Sequence, residues 1–80
     1  MDKVLINQAI ARLSNALALL SQQQIDKQAI RTLIDGIIPD EKHQSYIQQG
    51  FATNDKAKLL HGIVGALSHY EAEKEKILQK

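Results

Sequence analysis

Apolar residues along this chain recur at intervals of three and four and nowhere alternate over a strand-length run, so the pattern predicts helices. In the first stretch Leu5, Ile6, Ala9, Ile10, Leu13, Ala16, Leu17 and Leu20 share a broad face, with Asn7, Gln8, Ser14 and Asn15 mostly opposite. This predicts a helix from Asp2 to Leu20. Ile6, Ile10, Leu13, Leu17 and Leu20 follow alternating steps of four and three, the seam of a left-handed bundle, which suits packing within one chain and between two equally.

Ser21 followed three residues later by Gln24 has the form of a capping box, and Pro39 stops a preceding helix. A second helix is therefore expected from about Gln22 to Gly36 or Ile38. Its apolar set, Ile25, Ala29, Ile30, Leu33, Ile34, Ile37 and Ile38, covers close to half the wheel, which predicts contact with two neighbours. The short link to the first helix predicts an antiparallel hairpin. Asp40 is placed to cap a third helix ending near Gln49, with Gly50 as a left-handed terminator and Phe51 folding back on that helix. Tyr46 and Ile47 are its only strong anchors.

The last helix is expected from Thr53 to Lys80, capped by Thr53 or Asn54. Leu59, Leu60, Ile63, Val64, Leu67 and Tyr70 fall within an arc of roughly 140° and are expected to face the core, with Gly62 and Gly65 on the far side. Beyond Tyr70, Glu71, Glu73, Lys74, Glu75 and Lys76 read as a solvated helical end; Ile77 and Leu78 then either dock on the first helix or meet a partner. The whole predicts an all-α fold, one compact four-helix domain over residues 1–80. Helices 1, 2 and 4 are expected to be long and to form the principal core, with helix 3 a short crosspiece.

Eighty residues lie near the lower limit at which one hydrophobic core holds a fold, and the absence of Cys removes disulfides and thiolate zinc sites as support. Packing between helices must carry the stability. Ten Lys or Arg against nine Asp or Glu give a net charge of +1 without a long block of either sign, which disfavours a sequence-independent grip on nucleic acid. The first residues pass directly into an amphipathic helix, unlike a secretory signal, and there is no run of about 20 apolar residues. A cytoplasmic protein without a membrane partner is expected.

His61 and His69 share one helix but stand about 80° apart around it and about 12 Å along it, too far to ligate one ion. His69 with Glu73 offers only two ligands. Asp55 with His61 and Asp40 with His43 are candidate acid–base pairs, yet neither has a spacing that a reaction demands. Nucleophile elbows, phosphate loops and metallohydrolase motifs are missing as well, so no enzyme, cofactor or metal is expected. A helix-turn-helix DNA reader is the competing fold-level reading, with Gln44, Gln48 and Gln49 facing adenine edges. Against it, only Lys42 and His43 could meet phosphates there, and Asp40 and Glu41 would repel them.

Two glycines inside a helix cost roughly 1 kcal/mol each relative to alanine. Gly62 and Gly65 therefore sit on an indifferent exposed face, mark a hinge, or let another backbone approach. In the last case Gly62, Gly65 and Ala66 form a shallow strip ringed by Lys58, His61 and His69, and the approaching backbone is helix 3 or another protein. These six are the candidate partner-contact residues. The expected function is a small protein-binding regulator, an inhibitor, immunity factor or adaptor that occludes a partner surface, with a homodimer as one form. A helical DNA-binding regulator is the alternative, followed by an enzyme.

Overall fold

The computed structural model describes residues 2–78. Its regular elements are all helices: α1 Lys3–Leu20, α2 Lys27–Ile34, α3 Glu41–Thr53 and α4 Lys56–Leu78. The all-α, four-helix expectation holds, while the extension of the last helix to Lys80 lies outside the described residues. The carboxylate of Asp2 caps α1 by accepting the Val4 N–H at 3.1 Å.

Ser21 closes α1 instead of opening α2. Its hydroxyl donates to the Ala18 carbonyl at 2.6 Å, which satisfies an orphan acceptor of the last turn. The start of α2 is set by Asp26, whose carboxylate accepts the Ala29 N–H at 3.1 Å, and Ile25 and Ile30 stand at the spacing of a hydrophobic staple around it. α2 therefore has 8 residues and α3 has 13, so the short helix is the second and not the third.

α3 runs through Gly50, which is buried and helical, to a terminator at Asn54 with φ 54°. A Cβ at Gly50 would stand 2.7 Å from Leu59 Cγ and 3.0 Å from the Leu59 nitrogen, so this glycine serves a close helix–helix approach. Asn54 takes the left-handed position, and the Asp55 N–H returns to the Gly50 carbonyl at 2.9 Å. Asp55, rather than Thr53 or Asn54, caps α4: its carboxylate accepts the N–H groups of Ala57 at 3.1 Å and Lys58 at 3.3 Å. Phe51 lies inside α3 and is buried there.

The helices pack in the order α2, α1, α4, α3, with α4 at the centre of the array against both α1 and α3. Ile6, Leu13 and Leu20 of α1 meet Ile30 of α2 and Leu59 and Ile63 of α4 in the fully buried core. Burying each such side chain contributes about 1.5–3 kcal/mol. Ile47 and Phe51 bring α3 into the same cluster, so α3 contributes to the core. Two side chains tie the far end of α2 to the rest. Arg12 of α1 donates to the carbonyls of Thr32 at 2.8 Å and Asp35 at 3.4 Å, and the Tyr70 hydroxyl of α4 donates to the Ile37 carbonyl at 2.7 Å.

Candidate functional site

α4 has three working faces because it is covered from two sides only. Leu59, Ile63, Ala66 and Tyr70 are buried in the core. On the adjacent face, Gly62 and Gly65 meet α3, whose approach is close enough that a Cβ at Gly62 would lie 2.5 Å from Ile47 Cγ1 and 3.0 Å from the His43 carbonyl oxygen. The third face, with Ala57, Leu60, His61 and Val64, has no helix over it.

This arrangement corrects the expected assignment of the faces. Leu60 and Val64 were expected in the core and are instead 46% and 43% exposed, with Leu67 half-buried. Gly62, Gly65 and Ala66 were expected to form a strip approached by helix 3 or by another protein; it is α3 that covers Gly62, and Ala66 is buried in the core cluster. The reason is the approach permitted by glycine: α3 seats against Gly62, which turns the helix so that the edge of the aliphatic arc points outward.

The remaining four candidates lie at the α3–α4 boundary and do not converge. Lys58 is half-buried and its ammonium donates to Gln49 Oε1 at 3.0 Å. His61 is exposed and stands edge-on to Tyr46 of α3, the ring centroids 4.8 Å apart. Gly65 lies beneath the His43 ring, and His69 is exposed with its ring edge-on to Tyr70, 5.4 Å between centroids.

Of the two acid–base pairs considered, the structure brings together Asp40 and His43. Asp40 caps α3 by accepting the His43 N–H at 2.8 Å, and its second oxygen is 2.7 Å from His43 Nδ1. The backbone hydrogen bond from His43 is the main cause holding the Asp40 carboxyl below its ordinary range, with the imidazoles of His43 and His69 adding attraction. The pair orients the ring so that its Nε2 edge lies on α4 at Gly65. Asp55 is committed to capping α4. Among the described residues no group of three or more His, Asp or Glu is arranged to hold a metal.

His43, Ala57, Leu60, His61, Val64 and Gly65 enclose a shallow groove of about 490 Å³. Its floor is aliphatic and its rim is imidazole, an arrangement suited to burying an apolar anchor while hydrogen-bonding at the edge. Leu60 and Val64 escaped sequence reasoning because they belong to the same arc as true core residues. Only their position at its margin, away from Leu59, Ile63 and Ala66, distinguishes them. Among the described residues no helix is long and apolar enough to cross a membrane. Compared with protein-family models, curated proteins and solved structures, the chain finds no match in any of the three.

Proposed function

We propose that this protein is a small non-enzymatic regulator that binds another protein through the Leu60–Val64 face of α4. The observation that carries the reading is the exposure of Leu60 and Val64 one helical turn apart, 46% and 43%, beside Leu59 and Ile63, which are fully buried. Adjacent aliphatics with a polar rim supply affinity by desolvation, and the rim fixes register. His61 and His43 provide that rim, with Lys58 held nearby by Gln49. The Asp40–His43 pair is read as a helix cap and ring support. A cytoplasmic location and action as an inhibitor, immunity factor or adaptor belong to the same proposal, as does a homodimer using this face.

The test compares the wild-type chain with the double variant Leu60→Asp, Val64→Asp. Both substitutions fall on exposed positions, so helicity and thermal stability should be kept. The wild type should retain a specific partner, or a higher solution mass, that the double variant loses. Retention of the same partner and mass by the folded double variant contradicts the reading. Salt-sensitive retention of the wild type on duplex DNA, lost at high salt, would favour the DNA-binding alternative instead.

A further inference from the structure

The packing order leaves one gap. α2 packs on α1, and α3 packs on α4, but α2 and α3 share no extensive seam although the chain joins them directly. Between them lies a groove of about 670 Å³. Gly36 and Ile38 of the link between the two helices border it. Ile34, Ile38, Ile47 and Phe51 line its apolar floor. Over that floor stands the Arg31 guanidinium, 4.5 Å from the Phe51 ring centroid, with no carboxylate at ion-pair distance among the described residues.

We propose that this groove binds a small amphipathic carboxylate, such as a linear aliphatic acid, with its hydrocarbon chain on the isoleucine floor and its carboxylate on Arg31. The volume falls in the range of small-molecule sites, roughly 300–1,000 Å³. The Phe51 ring supports the Arg31 guanidinium, whose N–H groups are the kind with which arginine grips carboxylates. The exposed Asp35 stands one turn along from Arg31 and also borders the groove, so it opposes an anion there. This inference is independent of the Leu60–Val64 face.

The opposition from Asp35 makes the proposal sharply testable. Labelled protein is titrated with decanoate, decan-1-ol and decylamine below their aggregation concentrations, with amide chemical shifts as the readout. Decanoate should saturate with shifts centred on Gly36, Gln48 and Ala52, and bind at least about tenfold tighter than decan-1-ol or decylamine, the weight of a charge-assisted hydrogen bond. Arg31→Gln should remove that preference. Asp35→Asn, at an exposed side chain, should tighten decanoate severalfold and leave decan-1-ol unchanged, which keeps the test decisive if Arg31→Gln perturbs folding. Gln48→Trp, filling the groove from the exposed side of α3, should abolish binding. Equal affinity for decanoate and decan-1-ol, no response to Asp35→Asn, shifts centred on Leu60 and Val64, or no saturable binding would each overturn the proposal. So would selective capture of a carboxylate-ended peptide in place of decanoate.

Discussion

Gly62 lies directly against Ile47, so that a Cβ there would stand 2.5 Å from Ile47 Cγ1 and 3.0 Å from the carbonyl oxygen of His43. The second contact is with backbone, which cannot swing away. The helical penalty of this glycine is thus offset by the seating of α3 on α4, which brings Ile47 and Phe51 into the core. At an indifferent helical position Gly→Ala stabilises by about 1 kcal/mol. Gly62→Ala is expected to do the reverse and destabilise by about 1–3 kcal/mol, the cost of overpacking, as measured by denaturant unfolding. A more stable Gly62→Ala protein would contradict the close approach.

Gly65 is covered by a side chain instead. A Cβ there would run into the His43 imidazole, a ring that can turn at the expense of its hydrogen bond to Asp40. Gly65→Ala is expected to perturb stability less than Gly62→Ala and to shift the His43 ring resonances strongly. A shift pattern unchanged at His43 would place the ring elsewhere.

Asp40 makes the acid stability of the fold pH-dependent. Its carboxyl is held below its ordinary value of 3.8 chiefly by the His43 N–H, so the folded chain keeps it ionised where the unfolded chain would protonate it. The stabilisation is present above that value and is lost as pH falls through the lower folded pKa. Asp40→Asn should flatten the pH dependence of unfolding below about pH 4. An identical acid profile in the variant would remove Asp40 from the account.

Tyr70 gives the corresponding prediction on the alkaline side. Burial raises its phenol above the ordinary 10.0, so the neutral form is favoured in the fold, and its hydroxyl holds the Ile37 carbonyl at 2.7 Å. The contribution is present below pH 10 and is lost as pH rises through the higher folded pKa. Tyr70→Phe should cost about 0.5–1.5 kcal/mol at neutral pH and lack the tyrosine part of the alkaline loss. Amide exchange of the Asp35–Asp40 link should also quicken, and an unaltered link would argue against the tether.

The sequence made the class and the first helix legible because an eighteen-residue amphipathic run has a single consistent period. It misplaced the second helix because Ser21 and Gln24 imitate a capping box, while the Asp26 cap with Ile25 and Ile30 around it carried the real signal. Gly50 was expected to end α3, yet a glycine that terminates a helix and one that admits a neighbour's backbone are the same letter. Only the presence of Leu59 opposite decides between them. The same ambiguity put Gly62 on the outside and Leu60 on the inside. The α2–α3 groove had no sequence signal, since it arises from two helices that pack on different neighbours and share no extensive seam.

The proposed contact of the Leu60–Val64 face with another protein is open to site-specific photo-crosslinking. A photoreactive residue at position 64 is compared, in cells that naturally produce the chain, with one at the exposed Ala11 of α1. A discrete protein adduct from position 64, absent from position 11 and lost on adding Leu60→Asp, is the result expected. No adduct at position 64, or the same adducts from both positions, would contradict the claim.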